Sequence, residues 1–204
     1  WEAALIPTPI RQVLSTFQKS GVQTLLMGGQ ACVFYGATQV SKDVDLVLKS
    51  DGENHVRLTV ALETLGARRI AVPRFDRDLL ARGHAVHFRC SAPGVEDLRV
   101  DVMTRLRGVP DFSILWDWRT TFQDRDGTEF QLLSIPDLVQ AKKTQQSKDW
   151  PMIELLVAIH HRENESAARP DALLFRLRES RTAELLQQLV RRHPKEAQAL
   201  TCER

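Results

Sequence analysis

The chain has 204 residues, 43% hydrophobic and 26% charged, with a formal net charge of +2. That length buries a core without disulfide or metal staples, and the composition excludes the disordered and fibrous classes. No apolar run approaches the ~20 residues that span a bilayer, and the near-neutral charge does not mark the whole chain as a polyanion binder.

Pro9 to Ser20 carries Ile10, Val13, Leu14 and Phe17 at helical spacing, and Gly21 stops it. Val22 to Met27 reads as a strand ended by Gly28-Gly29, and Gln30 to Tyr35 as a short buried helix closed by Gly36. Val44 to Leu48 is the next strand, and Glu53 to Leu65 a helix ended by Gly66. His84 to Arg89 and Leu98 to Met103 alternate apolar with polar residues and predict strands. Thr120 to Asp124 and Glu129 to Leu133 flank Arg125-Asp126-Gly127-Thr128, a hairpin pattern. Beyond Ser134 the period is helical: Pro136 to Ser147, Pro151 to Arg162, and Ala172 to Arg192, with a linker from Arg162 to Pro170. The expected fold is α/β (α+β): a mixed sheet flanked by helices over residues 1–134, and a helical part over residues 135–204 that completes a cleft.

Asp43 and Asp45 interrupt the apolar run VDLVL. On a strand they share one face, ~7 Å apart, while Val44 and Leu46 face the other way. Adjacent carboxylates resist joint ionisation unless a cation lies between them. Hard oxygen ligands favour Mg²⁺, or Mn²⁺ in its place. Asp101, in Arg99-Val100-Asp101-Val102-Met103, is a third acid among apolar residues, and it joins the first two if the strands are neighbours. Gly28 and Gly29, between a strand and a helix, let backbone N–H groups approach phosphate oxygens.

This order, an apolar residue and Gly28-Gly29, then Asp43-Val44-Asp45, then Val100-Asp101-Val102, resembles the DNA polymerase β-like nucleotidyltransferase superfamily. The nearest group is the toxin nucleotidyltransferases of bacterial type IV toxin and antitoxin systems, which share a glycine ahead of the Asp pair, here Gly36. They also share lysines and a Lys-Asp pair on later helices, here Lys142-Lys143 and Lys148-Asp149. The resemblance implies a nucleotidyltransferase: Asp43, Asp45 and Asp101 as metal ligands, Gly28 and Gly29 as phosphate-loop residues, Lys142 on the triphosphate, and Asp149 as a supporting acid. Lys143 is the rival for the Lys142 role. It further implies a nucleoside triphosphate as substrate, an RNA 3′ end or a protein hydroxyl as acceptor, and an antitoxin partner. Relatives often carry Arg where this chain has Gln39 and near Gln146, and some carry Ser in place of Gly29. The lost positive charge keeps a non-catalytic nucleotide- or RNA-binding reading open beside the enzyme, and an antibiotic-modifying nucleotidyltransferase would share the metal site.

Other features carry less. His84 and His87 lack zinc-site partners, and His160-His161 suit a helix C-terminus. Trp116 and Trp118 read as packing residues that could stack on a base. Arg162, Arg169, Arg176, Arg178, Arg181, Arg191 and Arg192 offer a basic C-terminal surface for a polyanion, or balance nearby glutamates. Cys32, Cys90 and Cys202, odd in number and far apart, fit neither a disulfide framework nor a zinc site, so a reducing cytoplasm is expected. No signal-peptide pattern opens the chain, and no membrane partner is expected.

Overall fold

The computed structural model describes residues 8–124, 126–143, 147–165 and 170–202. Gln146, Arg169 and the turn residue Arg125 lie outside them. The chain forms two compact units that divide between Ala141 and Lys142.

In the first unit the elements are α1 (Thr8–Lys19), β1 (Thr24–Met27), α2 (Gly28–Tyr35), β2 (Asp43–Leu48), α3 (Gly52–Thr64), β3 (Arg68–Arg69), α4 (Arg77–Ala81), β4 (Val86–Arg89), β5 (Arg99–Met103), α5 (Phe112–Trp118), β6 (Thr120–Gln123) and β7 (Glu129–Leu132). One more helix, α6 (Ile135–Lys142), reaches the division. The seven strands form one mixed sheet in the order β3-β4-β5-β2-β1-β7-β6. The β2–β5 and β1–β7 pairs are parallel, and the other pairs are antiparallel.

Alternation builds the core side of this sheet. Val44 and Leu46 on β2, Val86 and Phe88 on β4, and Val100 and Val102 on β5 are all buried. The α1 residues predicted from spacing, Ile10, Val13, Leu14 and Phe17, are buried as well. Asn54 pins α3 to the strand ends. Its Oδ1 accepts from Gln23 N at 2.7 Å, and its Nδ2 donates to Gln23 O at 3.0 Å and Lys49 O at 2.9 Å. A buried amide with these partners is satisfied, so it fixes the helix without a desolvation penalty.

Three short elements have no counterpart in the sequence pattern. β3 is a two-residue edge strand, α4 a single turn capped by Asp76, and α5 a helix whose Phe112 stacks on Trp116. Elements this short carry too few residues to show a period.

The second unit continues from Lys142 with a 3₁₀ turn (Ser147–Asp149), α7 (Trp150–Glu163), α8 (Pro170–Glu179), α9 (Ala183–Arg192) and α10 (Pro194–Cys202). Leu173, Leu177 and Leu189 form its small core, with Leu185, Ala197 and Leu200 against it. The sequence suggested one helix over 172–192, but the chain breaks at Ser180-Arg181-Thr182. Ser180 Oγ donates back to Arg176 O at 2.6 Å, and Thr182 is extended. Ser and Thr compete for backbone groups in this way, which ends helices. Pro194 then opens α10 at a position where its missing N–H is harmless.

Candidate active site

The site is built on β2 and its two neighbours. Asp43 and Asp45 lie on one face of β2, half-buried, between fully buried apolar residues. β5 runs parallel beside β2 with Asp45 opposite Asp101 and Asp43 opposite Arg99. Residues directly opposite share a face. The three carboxylates therefore gather on one side of the sheet.

On the other flank Met27 of β1 is opposite Asp45, so α2 begins beside that carboxylate. Gly28 has φ +66°, and a β-carbon there would stand 2.0 Å from Asp45 Oδ2. A β-carbon on Gly29 would stand 2.6 Å from Ser41 Oγ. Gly28 is thus required by its packing against Asp45, whereas a side chain on Gly29 would displace the Ser41 hydroxyl. The N-terminus of α2, with its partial positive charge, lies next to Asp45.

Asp101 is 7% exposed and has cationic company. Arg99 grips it with a two-bond fork, Nε to Oδ1 at 2.8 Å and Nη2 to Oδ2 at 2.9 Å. His87, opposite Asp101 on β4, places Nδ1 2.9 Å from Oδ1 and 3.1 Å from Arg99 Nη2. It donates to the carboxylate in one tautomer and accepts from the guanidinium in the other. The hydrogen bonds Arg99 donates to Asp101, with that carboxylate's charge and those of Asp43 and Asp45, raise the Arg99 pKa above its ordinary value.

Sequence reasoning did not find Arg99 or His87, because their place depends on strand register. It also did not find a row that leads away from the acids. Arg99 is opposite Arg89 on β4, and Arg89 is opposite Arg68 on the edge strand β3. Three arginines therefore line up across adjacent strands and end at Asp43. Arg89 donates to Asp97 O at 3.0 Å, and Arg68 makes no ion pair among the described residues. Like charges directly opposite destabilise a sheet, so this row has a cost.

The donor set can be tested against a divalent metal. Asp43 and Asp45 fit: two hard oxygen donors on one face, beside a helix N-terminus. Asp101, as placed, already accepts two bonds from Arg99, so a metal ion there would compete with the guanidinium for its oxygens. Among the described residues no group of three His, Cys, Asp or Glu side chains is arranged to hold a metal ion.

The remaining candidates lie in the second unit. Lys142 Nζ donates to Asp149 Oδ1 at 3.1 Å, and the two side chains are only 10% and 13% exposed. Asp149 makes no side-chain cap bond to α7 and pairs with Lys142. Lys143 Nζ donates to Glu179 Oε1 at 2.7 Å. Of the C-terminal arginines, Arg176 is buried and donates to Ala172 O, Arg181 lies over the Trp150 ring, and Arg192 pairs with Glu165. Those three hold the unit together. In the first unit, Arg119 covers Trp116 at 4.3 Å from the ring centroid, while Trp118 is exposed and so is Gln39.

No family model and no curated protein matches the chain. Among solved structures it is similar to the lincosamide antibiotic adenylyltransferase LnuA in its lincomycin-bound form, with a TM-score of 0.55 and 14% identity over 76% of this chain and 99% of that one. It is also similar to JHP933 from Helicobacter pylori, with a TM-score of 0.49 and 14% identity over 99% of this chain and 98% of that one. At such identity the likeness to LnuA speaks of the backbone alone. The chain shares the mixed α/β fold of that adenylyltransferase.

Proposed function

We propose that the protein transfers a nucleoside monophosphate from a nucleoside triphosphate to a hydroxyl acceptor and releases pyrophosphate. The observation that carries this reading is the register that sets Asp45 beside Asp101, with Asp43 on the same face and Gly28 packed against Asp45. Acids that share a face between buried strands cost stability, and phosphoryl transfer is a chemistry that uses them.

Asp43 and Asp45 would hold Mg²⁺, or Mn²⁺, which supplies charge neutralisation on the phosphates when bound. The acceptor hydroxyl releases its proton to solvent as its oxygen bonds to the α-phosphorus, and the bond from that phosphorus to the α–β bridging oxygen breaks, freeing pyrophosphate. The N–H groups at the start of α2, reached past Gly28 and Gly29, suit the phosphate oxygens. Lys142 and Lys143 are kept as triphosphate contacts and Asp149 as the acid that holds Lys142. This assignment rests on the resemblance and on the Lys142–Asp149 pair. The expectation that the helical part completes the cleft rests on the resemblance alone.

For the acceptor we favour RNA. The support is the row Arg68, Arg89 and Arg99, which spans about three strand spacings of roughly 4.8 Å up to Asp43. Arg68 and Arg89, on the strands that lead to the acids, offer guanidiniums that suit phosphates, while Arg99 stays on Asp101. A toxin role, an antitoxin partner and a cytoplasmic setting are supported by the sequence resemblance and cysteine usage alone. The second reading is a small antibiotic acceptor, favoured by the likeness to LnuA.

The deciding experiment incubates the protein with each labelled triphosphate, Mg²⁺, and in separate arms RNA and a lincosamide. Asp43→Asn or Asp45→Asn lowers transfer by about 100-fold or more, the scale on which loss of a transition-state contact is felt. Undiminished transfer by either variant, or in excess chelator, would overturn the metal reading.

A further inference from the structure

Asp101 sits against two basic side chains, Arg99 and His87. Both of its oxygens are taken by one guanidinium, at 2.8 and 2.9 Å, and His87 Nδ1 stands 2.9 Å from Oδ1. A planar fork on a carboxylate is among the strongest charge-assisted pairings a protein makes. It is supported from below, because Arg99 and Asp101 are two apart on one strand and so share a face. Asp43, opposite Arg99 on β2, adds a second negative charge beside the guanidinium.

The charge balance then limits the site. Three carboxylates, one guanidinium and one divalent cation are neutral together. A second divalent cation would have to draw on Asp101, displace the fork, and stand against the arginine's positive charge before any phosphate bound.

We propose that Arg99 is a built-in cation that occupies Asp101 in place of a second metal ion, so the aspartate cluster takes one divalent cation, on Asp43 and Asp45. This inference rests on the metal reading above. Arg99 positions charge; it is not asked to touch the substrate.

Mn²⁺ binding to the full chain, followed by the electron paramagnetic resonance signal of the free ion, tests it without any turnover. The wild type takes up one Mn²⁺, and Asp45→Asn takes up none. Arg99→Gln takes up two, and its first ion binds about tenfold tighter or more, as expected when a like charge a few ångströms away is removed. Arg99→Lys keeps the positive charge and stays at one. The Arg99 side chain is 37% exposed but its partner Asp101 only 10%, so circular dichroism checks that each variant folds, and Arg99→Lys serves as the variant that keeps a cation beside the carboxylate. Two ions on the wild type, or one ion at unchanged affinity on Arg99→Gln, overturns the proposal while leaving the metal reading standing. No Mn²⁺ on either protein removes both.

Discussion

A β-carbon on Gly28 would stand 2.0 Å from Oδ2 of Asp45 and 2.8 Å from its Cβ, so even the smallest side chain cannot enter without moving the carboxylate. The neighbour lies at the root of its side chain as well as at its tip, and rotation of Asp45 does not relieve the clash. Gly28 also has φ +66°, where a β-carbon costs about 1–2 kcal/mol on its own. Gly28→Ala is therefore expected to lower stability by about 2 kcal/mol or more in urea melts and to abolish Mn²⁺ binding. A variant that binds Mn²⁺ as the wild type does would show that Asp45 need not sit where it is.

Lys142 and Asp149 form a nearly buried pair, and removing one partner leaves the other charge stranded. Breaking such a pair costs about 3 kcal/mol, whereas removing both partners costs much less. Lys142→Met and Asp149→Asn are each expected to destabilise, and the double variant to cost less than either single one, giving a coupling of about 3 kcal/mol or more. Independent effects in chemical denaturation would mean that the pair does not hold this segment. The nucleotide role has its own measurement: titration with a non-hydrolysable triphosphate should show a larger loss for Lys142→Ala than for Lys143→Ala, and equal losses would remove the assignment.

Asp51 caps α3 by accepting from Asn54 N at 2.7 Å. That bond, helped by the Lys49 ammonium at 3.1 Å, holds its carboxyl below the ordinary value. A depressed carboxyl pKa stabilises the fold above the unfolded-state value, near 3.8, and the contribution is lost as pH falls through the folded value. Asp51→Ala should cost about 1 kcal/mol at pH 7, and the gap to wild type should narrow steadily below pH 4. A gap that persists unchanged in acid would assign it to packing and not to the charged cap.

The acids of this site were legible because they break a local rule. Asp43, Asp45 and Asp101 sit inside apolar alternation, where any charge has to be explained by something outside the strand. Their partners were not legible. Arg99 and His87 become neighbours of Asp101 only through the pairing of β4 with β5, a long-range register that no window of sequence encodes. The same holds for Arg68 and Arg89, which look like scattered surface charges until the sheet order aligns them. In the helical part the opposite occurred. Arg176, Arg181 and Arg192 read as a basic face, but each makes a bond or ring contact inside its own unit. The mixed sheet itself followed from periodicity, and the break at Ser180 to Thr182 escaped because hydroxyls that end a helix also occur within helices.

The arginine row yields the prediction that separates the acceptor readings. Arg68 and Arg89 lie outside the aspartate cluster, on strands that lead to it, so their loss should leave triphosphate and Mn²⁺ binding as they are. Removing two phosphate contacts from a single-stranded partner lowers the slope of log affinity against log salt by about 1.4. The Arg68→Gln, Arg89→Gln double variant is therefore expected to bind RNA more weakly at low salt and to show that flatter salt dependence. Its stability should stay within a few tenths of a kcal/mol of the wild type, because relief of the opposed charges on β3 and β4 offsets loss of the exposed Arg89 bond to Asp97 O. The fold stays intact, so the RNA measurement is read directly. Unchanged RNA affinity and an unchanged salt slope would mean that no phosphate chain crosses this face. Label in a lincosamide and none in RNA would then favour the small-molecule acceptor, which needs no row of guanidiniums beside its site.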